Sequence, residues 1–463
     1  MYLQALGLST YTPAWVKKDN RRFPRAKLRK AGGRLEIADV LSIFHIEAQT
    51  ADALAFSKLM THLREVDEKY STVIMVQVEN ETGLLGDSRD GSHSADKRFY
   101  QPVPTKLKEV LNEQWDLLRP ELQQSLQSFK QNRSSGSWPE VFGHSRQTDE
   151  LFMAYHYALY LEKVASAGKA AYPLPLYTNV WQNYAGEDSD NDFPVVVGGG
   201  GSPGDYPSGG GVVNVIDIWQ VFAPSLDLIA PDVYLNEYHR TCAKYRHRNQ
   251  PLFIPEQRRD EYGARRIWNA FGTHQALGTS PFAIDTVEPA TNPFRRHYGL
   301  LASVSKHVLL AQKDQSSVGF FFDELPTGPN AKDPTPSLNV KFGQWNLLIS
   351  RSFVFGRPGP GSGMVINKGN DAFMLIGWGF QVEFRHESAP FTGILSFDEK
   401  EVQADGSLKT LRMLNGDETR SGSLCVMPNE VIDYGGFPIC VTIPARTGIA
   451  EAIPYALADE DTC

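Results

Sequence analysis

The sequence predicts an α/β protein with a parallel sheet, followed by a β-rich domain. Three observations carry this. Short apolar runs that end in polar loops alternate with helical patterns, which argues for a parallel sheet, either a barrel or a doubly wound one. From about residue 335 the helical periodicity fades and alternating strands take over. With 463 residues, the chain suits one large domain plus a smaller one, placed here at 1–334 and 335–463. The second is expected to be β-sandwich-like.

The elements follow in order. Residues 1–48 are rich in Lys, Arg and Pro and read as loop and short turns. Residues 51–69 place Leu54, Phe56, Leu59, Met60, Leu63 and Val66 mostly three and four apart, an amphipathic helix. TVIMVQVENETG starts as a continuous β-branched run, as in a strand buried on both faces, and stops at Asn80-Glu81. Residues 149–167 read as a helix and 174–180 (LPLYTNV) as a strand. Residues 213–221 read as a helix and 226–235 (LDLIAPDVYL) as a strand. PLFIPE at 251–256 is a short strand, followed by a helix over 263–276, a strand at SPFAID and a helix over 294–312. The Ser-rich stretch 124–138 reads as an insertion. The Gly-rich stretch 195–211 lacks both GxxxxGK[ST] and a strand–GxGxxG–helix order, so it reads as a long flexible loop over a site rather than a phosphate cradle. Beyond 335, MVINKG, DAFMLIGWGFQVEFRH, FTGILSFDEKEV and SLKTLRMLNGDE are strands between Gly, Asn and Asp turns.

Bulk chemistry excludes several classes. Lys+Arg 46 against Asp+Glu 54 gives a net charge of −8, which argues against nucleic acid and anionic membrane as partners. No apolar run approaches the roughly 18 residues of a membrane span, and the first residues lack the basic start and apolar stretch of a signal peptide. Compartment and oligomeric state are left open. Four cysteines are too few for a disulfide scaffold. Cys425 and Cys440 share the strand-rich part and are able to pair, though two separate buried thiols is the favoured reading. His144, His156, His239 and His274 show no paired ligand spacing, so no metal and no cofactor are expected. Asn132-Arg133-Ser134 is a glycosylation sequon in a polar stretch, relevant only to a secreted chain.

Two acidic residues end apolar strands: Glu81 after VIMVQVEN and Glu256 after LFIP. In a parallel barrel, catalytic groups sit at the strand ends of the C-terminal face. The strand of Glu256 comes three strands after that of Glu81, and such strands face each other across a barrel mouth. Two facing carboxyl groups suit glycoside hydrolysis, one protonating the leaving oxygen and one attacking the anomeric carbon. Acidic residues at strand ends are also common in α/β proteins that do no such chemistry. Trp181, just after LYTNV, either stacks on a sugar face or packs in the core.

The word VQVENETG resembles the signature of glycoside hydrolase family 35, the β-galactosidases. YTPAWVKKD, DVYLNEY and IPEQRRDEYG are similar to a branch of that family with an extra C-terminal domain of unassigned function. The resemblance runs from about residue 10 onward. It implies a TIM-barrel (β/α)8 glycosidase fold, with Glu81 as acid/base, Glu256 as nucleophile and Asn80 bonding the sugar 2-hydroxyl. It implies that Tyr234 bonds the nucleophile, where the bland alternative is a capping tyrosine. Trp15 resembles a position at the cleft mouth, or is a surface anchor. The implied substrate is a carbohydrate, a terminal β-galactoside, with xyloglucan side chains as a plausible polymer. In the family three βα units precede the Asn-Glu strand, more chain than lies before Thr72 here, so the first strands are expected to be absent. The competing expectation is a glycosidase-like protein or fragment that binds carbohydrate without turnover. Asp232 reads as structural, and Asp285 as a residue able to touch ligand.

Overall fold

In the computed structural model, the described residues are 12–132, 135–183, 200–235, 237–326, 332–352, 358–427, 429 and 446–459. They form two compact units, divided between Glu256 and Gln257. The division expected near residue 335 rests on where helical periodicity ends, a local signal; compactness depends on which segments pack together. Each unit is described by itself. No helix among the described residues is long and apolar enough to cross a membrane.

The first unit opens differently from expectation. Residues within 1–48 form a short helix, Ala14–Lys18, and an antiparallel hairpin of β1 (Arg25–Arg29) and β2 (Leu35–Leu41). Gly32 and Gly33 turn it at φ +73° and +74°, a backbone region open to glycine. Basic residues hid the hairpin because they pair across it and beyond it. Arg29 reaches Asp87 at 2.7 Å and Asp149 at 2.8 Å.

A curled parallel sheet follows, with strand order β3 (Val76–Gln77), β4 (Leu176–Trp181), β5 (Leu228–Val233), β6 (Phe253–Gln257). The register pairs Gln77 with Tyr177, Asn179 with Ala230 and Trp181 with Asp232. β5 is buried at every position. β3 is not: Ile74, just before it, is 70% exposed. The expected two-sided burial fails because β3 has only β4 beside it among the described residues.

Two helices dominate this unit, Ile46–Asp67 and Arg146–Ala171. Ser145 caps the second by accepting from the Thr148 N–H, with Asp149 in its first turn and Lys169 in its last. The helices meet where Gly168 lies over Phe56 and Met60. Asp67 ends the first helix and accepts from the Thr72 and Val73 N–H groups, which launches the chain into β3. The stretch 124–138 contributes helical turns, Pro120–Ser125 and Gln127–Asn132; residues 133 and 134 of the sequon lie outside the described residues.

Among its described residues the second unit carries three helices, Glu261–Gly272, Pro293–Ser303 and Ser305–Asp314, a short strand β7 (Gly278–Pro281) where a strand over 280–285 was expected, and two antiparallel sheets. The single helix expected over 294–312 is broken at Val304. The larger sheet contains β8 (Ser317–Phe322), β11 (Gly361–Gly369), β12 (Ala372–Trp378), β14 (Phe391–Val402), β15 (Leu408–Met413) and β17 (Ile449–Leu457). The smaller contains β9 (Leu338–Phe342), β10 (Trp345–Arg351), β13 (Phe380–His386) and β16 (Cys425–Met427). Alternation explains the layering. Phe373 and Leu375 of β12 face the smaller sheet, with Ile349, Val382 and Phe384. Met374 and Ile376 face the helices, with Trp268, Phe294 and Val308. β12 therefore reads as a continuous apolar run, because both its faces are covered. Cys425 is buried in this core; Cys440 lies outside the described residues.

Gly168→Ala tests the helix contact. A methyl there would meet the Phe56 ring at 2.2 Å. The overpacking costs about 1–3 kcal/mol, more than the roughly 1 kcal/mol gained from helix propensity. Its thermal unfolding midpoint is expected to fall; a rise would show that the two helices separate freely.

Candidate active site

The carboxyl ends of the strands in the first unit gather three acids. One oxygen from each of Glu81, Asp232 and Glu256 lies within 4.8 Å of the others. Glu81 follows β3, Asp232 sits in β5 opposite Trp181, and Glu256 is in β6. Glu81 and Glu256 were singled out by strand position. Asp232 was read as structural, yet it is part of the cluster.

Asn179 joins them. It is 1% exposed, and its residue type in β4 gave no warning of its role beyond being polar in an apolar strand. Its Oδ1 accepts from the Glu81 N–H at 2.9 Å and from Gln77 Nε2 at 3.0 Å. Its Nδ2 donates to Asp232 Oδ2 at 2.9 Å and lies 3.2 Å from Asn80 Oδ1 and 3.4 Å from Glu256 Oε1. Two hydrogens thus serve three acceptors. Asn80 is in this network, and Gln77 Nε2 also donates to it at 3.1 Å. The Tyr234 hydroxyl donates to Glu256 Oε2 at 2.8 Å. Trp181 is two residues after Asn179 on the same strand, so both point to one face of the sheet.

The loop that carries Glu81 is strained and held. Glu79 has φ +61° and Glu81 φ +44°, left-handed for non-glycine residues. Such positions cost roughly 1–3 kcal/mol and persist where surroundings over-determine them. Here Leu84 exchanges both backbone hydrogen bonds with Ser208, at 3.0 and 2.9 Å. The described part of the Gly-rich stretch packs closely: a Cβ on Gly210 would come within 2.4 Å of the Thr82 carbonyl oxygen. Glycine there permits contact with the Glu81 loop, beside the site over which this stretch was expected to lie; residues 195–199 lie outside the described ones.

Burial sets the protonation. Glu81 is pushed up to about 7, first by burial and then by the negative charge of Glu256. Asp232 is raised well above the ordinary carboxylate range by burial, then by the charges of Glu256 and Glu81. Glu256 is raised by burial, with the Tyr234 hydrogen bond opposing. Asp232 Oδ1 is buried without a donor among the described residues, in a carboxyl group that burial and its neighbours Glu256 and Glu81 favour in the protonated form. The same three acids are able to offer one oxygen each to a cation. Asn179 and Tyr234 already direct hydrogens at two of them.

Trp15 lies 56% exposed, edge-on to Phe23 at 5.5 Å. Asp285 lies exposed in a turn of the second unit, Ile284–Thr286.

A family model described as a domain of unknown function, DUF5597, matches residues 294–425. No curated protein matches the sequence. Solved structures similar to the chain include a β-galactosidase of the psychrophilic Marinomonas ef1, at 13% identity over 65% of this chain and 49% of that one, TM-score 0.37. A β-galactosidase of Bacillus circulans sp. alkalophilus is 14% identical over 64% of this chain and 45% of that one, TM-score 0.38. A catalytic mutant of a GH42 β-galactosidase from G. stearothermophilus is 14% identical over 65% and 45%, TM-score 0.37. The chain thus spans about half the length of these proteins or less. The family named there is GH42, not the family 35 that the motif resembles, and likeness this low assigns the chain to neither.

Two substitutions test the network. Glu81 binds its proton more tightly folded than unfolded, so it favours the fold fully below pH 4.5, and that is lost as pH rises to about 7. Glu81→Gln is therefore expected to be more stable than the parent at pH 8, by up to about 3 kcal/mol, with the gap closing by pH 4. A pH-independent gap in denaturant titrations would contradict the buried proton. Asn179→Ala strands several buried partners and is expected to lose about 1–3 kcal/mol; unchanged stability would remove Asn179 from its place in the network.

Proposed function

We propose that the chain is a retaining glycoside hydrolase acting on terminal β-galactosides, with Glu81 as acid/base and Glu256 as nucleophile. The observation that carries this is the spacing and inequality of the two carboxyl groups. Their oxygens lie within 4.8 Å. Retaining enzymes hold the pair about 5–5.5 Å apart, while inverting enzymes leave about 6.5–9.5 Å for a water. Glu256 loses its proton first, and its charge helps keep the proton on Glu81. One group is then an anion ready to attack and the other an acid ready to donate.

In the first step a Glu256 oxygen bonds the anomeric carbon as the glycosidic C–O bond breaks. Glu81 passes its proton to the leaving oxygen. In the second step water attacks the same carbon, Glu81 takes the water proton, and Glu256 departs as carboxylate. Tyr234 donates to the Glu256 oxygen and orients it. Asp232, hydrogen-bonded to Glu81, adjusts how readily Glu81 gives its proton. Asn80 and Trp181 are assigned to the sugar, Asn80 to the 2-hydroxyl and Trp181 to a ring face. The galactoside class, including xyloglucan side chains, is supported by the VQVENETG word.

Glu81→Gln is expected to slow hydrolysis of natural galactosides by about 10²–10⁴-fold, the range for loss of a general acid. Glu256→Gln should abolish it. A 2-fluoro β-galactoside with a good leaving group should attach to Glu256, seen as an added sugar mass on the peptide that contains it. A folded chain that cleaves no aryl β-galactoside, and carries no such label, would instead be the binding protein without turnover.

A further inference from the structure

The second unit has a cleft of about 210 Å³, lined among others by Trp378, Arg296, Glu261, Arg265, His297 and Glu324. We infer that this cleft is a second, non-catalytic binding site for one neutral sugar ring of a glycan. It goes beyond the proposed hydrolysis and shares with it only the expectation that the protein meets carbohydrate.

The sequence Gly377-Trp378-Gly379 ends β12 and builds the wall. Gly377 has φ +121° and Gly379 φ +71°. A Cβ on Gly377 would meet the Ser362 carbonyl oxygen at 2.1 Å, and one on Gly379 the Pro360 carbonyl oxygen at 2.4 Å. Only glycine lets the backbone pass this close to β11 on both sides of the tryptophan. Trp378 packs against the apolar core beneath and contributes its remaining surface to the cleft. The His297 ring meets it edge-on at 5.5 Å, and the Arg296 guanidinium lies 5.4 Å from its centroid.

The polar groups are held in advance. His297 Nδ1 accepts from Trp268 Nε1 at 2.9 Å, so its proton is on Nε2, directed at Glu261 Oε1 at 3.2 Å. That carboxylate oxygen also accepts from Arg296 Nη2 at 2.9 Å. Arg265 is 3% exposed and donates to Glu324 at 2.8 Å. Its Nε is buried with no hydrogen-bond partner among the described residues. An orphan donor of this kind is costly, and the cleft is lined by the same side chain.

The class of ligand follows from charge and size. Two guanidinium groups and two carboxylates line the cleft, which leaves no net charge to select an anion. Donors and acceptors stand together beside an indole, which suits hydroxyls around an apolar ring face. Drug-sized ligands take pockets of about 300–1,000 Å³, so this smaller space suits a single ring.

The test uses the full chain carrying Glu256→Gln, so that bound glycan is not consumed. Affinity electrophoresis in gels of xyloglucan, β-1,4-galactan or mannan is compared with gels of polygalacturonate. Retardation by at least one neutral polymer is expected, with binding weakened about tenfold by Trp378→Ala. Arg296→Ala, at a half-exposed side chain, should weaken it too without disturbing the core, and Trp378→Phe controls for packing by keeping an aromatic ring. Three results would each overturn the inference: no neutral polymer retards the chain, retardation is unchanged in folded Trp378 and Arg296 variants, or only polygalacturonate binds. Hydrolysis of aryl β-galactosides by the unmodified chain is measured separately. Trp378-dependent binding in a chain that hydrolyses nothing would sustain this inference and remove the hydrolase reading.

Discussion

The carboxamide of Asn179 is the constraint on which the candidate site depends. Buried within β4, it accepts from the Glu81 N–H and donates to Asp232, within reach of Glu256. One side chain thereby links the chain after β3 with β5 and β6. A neutral amide suits this place because it carries both donors and acceptors without a charge of its own. A carboxylate there would add a fourth acid to three that already repel one another. An apolar residue would leave the strained Glu81 backbone without an acceptor.

That strain has to be balanced by contacts distant in sequence. Glu79 and Glu81 keep left-handed backbones while their loop is clamped from two directions. On one side Ser208 pairs with Leu84 and Gly210 crowds Thr82. On the other, Arg29 of the hairpin ties Asp87 to Asp149 of the long helix. Arg29 is only partly exposed, and its pairing is shared with Arg89, which lies 3.3 Å from Asp149. A charge network of this sort fixes geometry more than it adds stability. Its consequence is a Glu81 carboxyl aimed into a cluster where burial keeps its proton.

The second unit solves a different problem with the same logic of two-sided burial. Its larger sheet is covered by the smaller sheet on one face and by helices on the other, so successive residues of β12 serve opposite cores. The run ends at Gly377-Trp378-Gly379, where apolar packing gives way to paired charges. His297 marks the border: 1% exposed, donating towards a carboxylate and accepting from an indole.

Much was legible in the sequence where the signal is local. Apolar runs located β4, β5 and β6 to within a few residues, and the 3.6-residue period located both long helices of the first unit. The placement of Glu81 and Glu256 at strand ends, and their order along the chain, also follow from the sequence alone, because alternation of strands and helices forces parallel strands to present their ends together. The hairpin of Arg25–Arg29 and Leu35–Leu41 did not show, since its basic residues are satisfied by acids far along the chain. The tertiary structure alone decided that Asp232 joins the two glutamates, that Asn179 ties them, and that Glu81 holds a proton near neutral pH. Burial and hydrogen bonds between distant segments fix these properties, and no local pattern of residues encodes them. The position of the two glutamates at strand ends was therefore written in the sequence, while their inequality came from the fold.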